Sequence, residues 1–562
     1  MNNPRTLPEA LARAAQTEIG LTFVNAGVET RRSYAGLWSQ SLSIARSLRA
    51  AGLRRGDLVA LVLPDAEQFL AALFGASAAG LIPASLPYPA TTSDLPRYLD
   101  LTTGILRASD ARAVITMAAL TPSFEQARAS CPALELVLSR DSLDAAPGEL
   151  DGTPSLDDIA FVQFTSGSTS APKGVALTHA NLSANIDAFN GPSGVGTTTD
   201  DVAVSWLPLN HDMGLVGMAL GAVFEARPCV LLSPEGFVKR PIEWLRAIAR
   251  HRGTVSFAPN FGYDLCVRRV KDRDLDGLDL SSWRVAGCGA EPIHQPTLAA
   301  FAARFSDVGF RETSFLPSYG LAEHVLAATF PPRGRRLRTD LVSADGVTAR
   351  RVAMPHDGTG PSLAFVSCGS ALPGHRLQIV GDDGRPVTER HVGEILLAGP
   401  SVMRGYYKQD ELTAQTIRDG WLHTGDLGYL SGGELFVCGR AKEIIIVNGR
   451  TYHPQDLEWA VEGLGGVRRG RVVAFGATAD GHADRVVIVV ERSGTVPADV
   501  LAGAIRREIG DLFGLYVDEV AVVRSGTVGR TTSGKVQRAA TKARYERGEC
   551  PTDGPKAQVA GA

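Results

Sequence analysis

The sequence predicts an α/β chain: a large N-terminal domain of layered parallel sheets and helices with a small β subdomain, then a compact C-terminal α+β domain on a hinge. Three observations lead there. From about Leu7 to Gly360, strand-like and helix-like segments alternate, as layers of largely parallel strands require. Leu377–Val380 and Glu394–Ala398 then read as short strands of a smaller subdomain. Past Gly439-Arg440-Ala441-Lys442-Glu443, a unit of about 110 residues carries strands and helices enough for its own core. The expected division is 1–439, a hinge at 440–443, a mobile α+β domain over 444–550, and a disordered Pro-, Gly- and Ala-rich tail over 551–562.

The elements follow in order. Leu58–Leu63 is an apolar run ended by Pro64, and Glu67–Ala79 has an apolar helix face. Phe161–Phe164 is β-prone. Pro331–Ser362 is rich in Arg, Gly and Pro and has a poor hydrophobic period, so it reads as an irregular insertion. In the last unit, residues 443–449 read as a strand and Pro454–Leu464 as a helix opened by proline in its first turn. Strands are expected at 471–476, 485–490 and Glu519–Val523, with a helix at Ala498–Ile509.

Composition narrows the function classes. The chain's 562 residues exceed one core, so two to four folding units are expected. A net charge of −3 provides no basic field for non-specific nucleic-acid binding. No apolar run is long enough to span a bilayer, and the opening residues lack a signal-peptide core. The seven cysteines are scattered without C-x-x-C spacing, which points to neither zinc nor disulfides and to a reduced, cytoplasmic setting. No Gly-x-Ser-x-Gly elbow supports a hydrolase triad.

Residues 161–179, FVQFTSGSTSAPKGVALTH, carry the most chemistry. A strand feeds a loop of hydroxyl residues and glycine that ends in a lysine, gathering N–H groups, hydroxyls and an ammonium around one point, as a polyphosphate needs. A Walker loop would need glycine where Pro172 stands. The loop resembles the phosphate loop of adenylate-forming enzymes, which join a carboxylic acid to AMP; Ser170 stands where that family usually has glycine. Segments 204–215 (VSWLPLNHDMGL), 256–266, 287–292 (GCGAEP), 318–323 (SYGLAE), 421–430 and 529–535 resemble further motifs of this superfamily, in the right order and over nearly the whole chain. HDMGL, YGLAE, FVSCG (365–369) and NGRTYHPQDLE (448–458) resemble its fatty acyl-AMP ligase branch most, and the 331–362 insertion stands where that branch has one.

The resemblance implies a set of roles, with ATP and Mg²⁺ as cofactors. Thr165, Ser166, Gly167, Ser168, Thr169 and Lys173 would hold phosphates. Gly289, Ala290 and Glu291 would line the adenine pocket, within the segment Ser318, Tyr319, Gly320, Leu321 and Ala322 the Tyr319 ring would stack on adenine, and Glu323 would ligate the metal. Asp426 would take the ribose hydroxyls with support from Arg440, and Lys535 would bridge the substrate carboxylate and the α-phosphate. His211, Asp212, Met213, Asn260 and Phe261 would meet the acid, with His211 counted also as catalytic, and Met218–Phe224 would supply apolar walls. His211 and Asp212, being adjacent, need not be partners. Lys442 would be the pivot.

The implied reaction is activation of a fatty acid by ATP, then transfer of the acyl group to the phosphopantetheine thiol of an acyl carrier protein. An acyl-CoA ligase, an amino-acid adenylating enzyme and an inactive nucleotide or lipid sensor remain as alternatives. Arg468, Arg469, Arg471, Arg506 and Arg507 form a candidate basic face for the carrier protein.

Overall fold

The computed structural model describes residues 4–89, 95–143, 150, 152–165, 173–477, 485–530 and 535–552. Strands buried on both faces must be apolar throughout, and Leu58–Val62 and Val255–Ala258 are buried at every residue. They are interior strands of two seven-stranded sheets. One runs Phe315–Pro317, Val285–Cys288, Val255–Ala258, Ala203–Ser205, Cys229–Leu232, Gly20–Asn25, Val28–Ser33, and only its last pairing is antiparallel. The other runs Gly405–Tyr406, Lys173–Thr178, Ile159–Thr165, Ile82–Ser85, Leu58–Val62, Ala113–Thr116, Leu136–Ser139. Its first three strands pair antiparallel and the remainder parallel. The helix Ala66–Ala78 begins at Asp65, which accepts the Gln68 N–H at 2.9 Å, and is buried at every residue from Phe69 to Ala78.

The antiparallel strands Arg376–Val380, Gly393–Ala398, Trp421–Ser431 and Glu434–Arg440 form the smaller subdomain. The expectation of irregular structure over Pro331–Ser362 holds for 331–338 and 351–361 but not for the residues between them. Thr339–Ser343 is a strand paired with Ser362–Val366, and Ala344–Arg350 is a helix. Val342, Val347 and Ala353 bury against Phe365, Tyr429 and Phe436. The Arg and Gly residues between them hid that period. Arg335 and Arg338 tie the segment down by converging on the buried Glu434 at 2.5 and 3.0 Å.

Beyond Arg440 the chain makes the hairpin Ile445–Val447/Arg450–Tyr452, then a sheet of Val467–Ala477, Arg485–Arg492 and Glu519–Val523. Helices Pro454–Glu462 and Ala498–Phe513 cover one face and Arg538–Glu546 the other. Its two apolar clusters draw every fully buried member from residue 445 onward. Of the expected disordered tail, all but Pro551 and Thr552 lies outside the described residues, and Thr552 bridges to Val523. The last unit meets the first through His294 and Trp459, whose rings lie 4.7 Å apart, through an Arg450–Asp345 ion pair at 3.0 Å, and through Gln455, which donates to the Cys438 carbonyl. Among the described residues no helix is long and apolar enough to cross a membrane.

Candidate active site

Four loops leave the carboxyl ends of neighbouring parallel strands, where open α/β sheets place their ligands. Ala203–Ser205 leads to His211 and Asp212, Val255–Ala258 to Asn260 and Phe261, Val285–Cys288 to Gly289, Ala290 and Glu291, and Phe315–Pro317 to Ser318 and Tyr319. Motifs more than a hundred residues apart therefore share one sheet edge. The Ser318 N–H donates to the Cys288 carbonyl at 2.8 Å, and a Cβ on Gly289 would come within 2.6 Å of Ser318 Oγ. The small residues there let two loops close on each other. Ala290 adopts φ +73°, a left-handed conformation rare for a side-chain-bearing residue.

Asp426 and Arg440 are register partners on adjacent antiparallel strands. Arg440 Nε lies 3.1 Å from Asp426 Oδ1, and the Tyr319 hydroxyl donates to Oδ2 at 2.9 Å. Burial raises the Asp426 carboxyl above its ordinary pKa, against the opposing pull of Arg440, Tyr319 and Lys535. Tyr319 is only 7% exposed, and Gly320 beside it is demanded by close packing, since a Cβ would fall 1.7 Å from the Leu326 carbonyl oxygen. Ala322 is buried and Leu321 packs on the main core.

Glu323 accepts a hydrogen bond from the Tyr406 hydroxyl at 2.8 Å. Lys173 begins its strand opposite Thr165 in register, with Nζ 5.2 Å from the centre of the Tyr406 ring. The Thr165 backbone, Lys173 and Glu323 thus converge on one edge. Ser166, Gly167, Ser168 and Thr169 lie outside the described residues.

His211 and Asp212 do pair, Nδ1 to Oδ1 at 2.6 Å, because the turn opening the π-helix Met213–Leu220 brings the two side chains together. Burial opposes ionisation of Asp212, but His211, Lys535 and the Met213 N–H outweigh it and hold its carboxyl below the ordinary value. Met213, Met218 and Phe224 are buried in the main core. Asn260 is a brace: its amide donates to the Pro292 carbonyl at 2.7 Å and its oxygen accepts the His294 N–H at 3.0 Å. Phe261 meets Trp206 edge to face at 5.5 Å and lies under the Arg530 guanidinium at 5.7 Å.

Lys535 comes to this edge from the C-terminal unit. Burial lowers its pKa, and Asp212, Glu291 and Asp426 partly restore it while Arg440 opposes. Burial likewise raises Glu291, whose Oε1 has no hydrogen-bond partner among the described residues. Carboxylates from two of these loops, Asp212 and Glu291, and from one antiparallel strand, Asp426, therefore act on one ammonium. Lys442 is exposed in the turn Ala441–Glu443 between the units.

Sequence reasoning missed Tyr406, Thr424 and Arg530. Thr424 Oγ1 accepts the Asp426 N–H at 3.1 Å, and Arg530 donates to the Gly470 carbonyl at 2.6 and 2.9 Å. Tyr406 and Arg530 act across the fold, so local spacing offered no signal for them, whereas Thr424 lies two residues before Asp426 in the same motif. The proposed basic face is largely spent on structure: Arg468 pairs with the buried Glu491 at 3.2 Å, Arg471 donates to the Val528 carbonyl, and Arg506 donates to the Val517 carbonyl at 3.2 Å.

Comparison with known proteins agrees with this geometry. Residues 11–407 match the AMP-binding enzyme family, and residues 442–554 match the AMP domain of Disco-interacting protein 2-like proteins. A Caulobacter vibrioides protein provisionally named an acyl-CoA synthetase is 37% identical, covering 96% of this chain and 95% of its own. The medium-chain-fatty-acid–[acyl-carrier-protein] ligase JamA of Moorena producens is 34% identical over 92% of this chain and 90% of its own. A solved structure from a study of fatty acyl-adenylate ligases from E. coli and L. pneumophila superposes with a TM-score of 0.92 at 37% identity, covering 97% of this chain and 98% of that one. The chain belongs to the AMP-binding enzyme family.

Proposed function

We propose that this chain is a fatty acyl-AMP ligase: it joins a fatty acid to AMP at the expense of ATP, releases pyrophosphate, and passes the acyl group to the phosphopantetheine thiol of an acyl carrier protein. The observation that carries this reading is the gathering of His211–Asp212, Glu291 and Tyr319 at neighbouring strand ends, with Asp426 and Arg440 bonded beside them and Lys535 acting on the same carboxylates. The relatives named as acyl-carrier-protein ligases support the choice of acceptor.

The carboxylate oxygen must attack the α-phosphorus while both partners are anionic, so catalysis here is alignment plus positive potential. The Lys535 ammonium lies between the two anions, offsets their repulsion and holds the attack geometry without transferring a proton. Asp426 and the Tyr319 ring receive ribose and adenine, and Arg440 pulls Asp426 toward its charged form against the effect of burial. The orphaned acceptor of Glu291 fits the adenine end, where a donor on the base would satisfy it. Lys173 and the loop 165–169 take the phosphates that depart. Glu323 is a hard oxygen donor and fits Mg²⁺, which takes one or two carboxylates and completes its shell with phosphate and water. That ion would neutralise charge on the phosphates.

His211, Asp212 and Phe261 border the acid. The large unit over 1–439 and the mobile unit over 444–550 rotate relative to each other about Lys442, because Lys535 serves the first step and must leave for the second. The 331–362 segment is the insertion of the acyl-AMP branch.

Pyrophosphate exchange with acids from octanoate to palmitate tests the first step, and exchange is expected with at least one of them. No exchange with any acid sinks the reading. Offering coenzyme A and a holo carrier protein in parallel tests the second step, and thioester is expected on the carrier alone. Efficient acyl-CoA formation would select the acyl-CoA ligase alternative, which the Caulobacter relative's name favours.

A further inference from the structure

Arg538 stands three residues after Lys535 and opens the last helix. Its guanidinium forks onto one carboxylate, with Nε and Nη2 donating to Glu458 Oε1 and Oε2 at 2.9 and 2.8 Å. Its remaining arm, Nη1, donates to Glu443. The Arg538 side chain is 16% exposed and Glu458 9%, so this is a largely desolvated network in which the planar fork specifies direction as well as charge. Glu458 is itself fixed, since Oε1 also accepts the Ala474 N–H at 3.0 Å.

Glu443 closes the short turn Ala441–Glu443 that links the two units. On the other side of that turn, Arg440 is held by Asp426 through both its side chain and its strand register. The linker is therefore bracketed by two ion pairs, one on the large unit and one on the small. Only Ala441 and Lys442 lie between the brackets.

We infer that Arg538 and Glu443 are positioning residues for Lys535: their ion pair binds the end of the linker to the segment that carries Lys535, so that closure about Ala441–Lys442 delivers the ammonium to one fixed position. The inference rests on the reading of Lys535 as the cation of adenylate formation. Hinges work through a few residues at element ends, and misplacing a reacting group by an ångström carries a large penalty in rate. Without the pair, Glu443 adds free torsions to the linker and Lys535 arrives in a spread of positions.

The test is Glu443→Gln, because Arg538→Ala would strand the buried Glu458 and threaten folding. Glu443 is 27% exposed, and glutamine keeps its shape. Single-turnover formation of acyl-adenylate should slow by about tenfold, with KM for ATP and acid within about twofold of wild type. In a Lys535→Ala background, adding Glu443→Gln should slow it no further, because the pair acts through the missing ammonium. Arg538→Lys should fall between wild type and Glu443→Gln. A Glu443→Gln rate equal to wild type overturns the inference, and so does an equal further loss in the Lys535→Ala background, which marks a purely structural role. A wild-type chain that forms no adenylate at all instead overturns the activity on which the inference rests.

Discussion

The phenol of Tyr319 donates to Asp426 Oδ2 at 2.9 Å, joining the carboxyl end of a parallel strand in one sheet to the middle of an antiparallel strand in another. Asp426 is 6% exposed and burial raises its pKa, so this bond and the Arg440 contact oppose its protonation and fix its direction.

Tyr319→Phe keeps the ring and removes only that donor. A hydrogen bond to a charged group is worth about 1.5–3 kcal/mol. KM for ATP in the exchange reaction should therefore rise at least about tenfold, with a smaller effect on KM for the acid. An unchanged KM for ATP would show that the pair is not part of the nucleotide site.

Lys535 must be charged to work, and burial lowers its pKa even though Asp212 and Glu291 pull the other way. Charge is lost as pH rises through that lowered value. Adenylation should thus decline on the alkaline side at a pH below that at which an ordinary lysine titrates. Lys535→Arg, whose guanidinium stays charged, should lose rate at neutral pH but move this decline upward. Lys535→Ala should cost about 10²–10³ in adenylate formation, while transfer from supplied acyl-adenylate persists. A pH–rate profile with no difference between lysine and arginine would count against the assignment.

Two glycines give a packing test. Gly320→Ala forces a Cβ to within 1.7 Å of the Leu326 carbonyl oxygen, and backbone must move. The expected loss is about 3 kcal/mol. Gly104→Ala, in the helix Leu95–Ala108 with nothing within 4 Å of the new Cβ, should gain up to about 1 kcal/mol. Urea denaturation of both variants measures the contrast, and a Gly320→Ala chain as stable as wild type would refute the close approach.

Burial raises the Glu462 carboxyl from 4.5 to about 7, with the nearby Glu458 adding to the rise and the Gly470 N–H opposing it. Between those two values the folded chain keeps a proton that the unfolded chain has released. Stability from this group is therefore full below pH 4.5 and declines as pH rises toward about 7. Glu462→Gln should flatten that decline and unfold at a higher temperature than wild type at pH 8. Equal melting temperatures at pH 8 would contradict the shift.

Much of the fold was legible because its signals are short-range. Leu58–Val62 and Val486–Val490 are continuous apolar runs, and Glu519–Val523 matches its expected bounds. The 331–362 segment was not legible, since its strand pairs with residues past its own end and its helix is seven residues long. The His211–Asp212 pair was missed because adjacency says nothing about side-chain direction until the backbone turn is known. The bracing by Asn260 was not legible either, since its two partners lie more than thirty residues away in sequence.

By itself, the order of motifs along the chain determined the family resemblance and which residue types were available: a lysine after a hydroxyl loop, a tyrosine, an aspartate, and a lysine near the end. Tertiary structure alone decided what they face. Strand register sets Arg440 against Asp426, the shared sheet edge gathers four distant loops, and the docked C-terminal unit brings Lys535 among carboxylates from three of its neighbours. The physical reason is distance: propensity and periodicity act over a few residues, whereas the field at a buried charge sums groups that only the folded chain brings together.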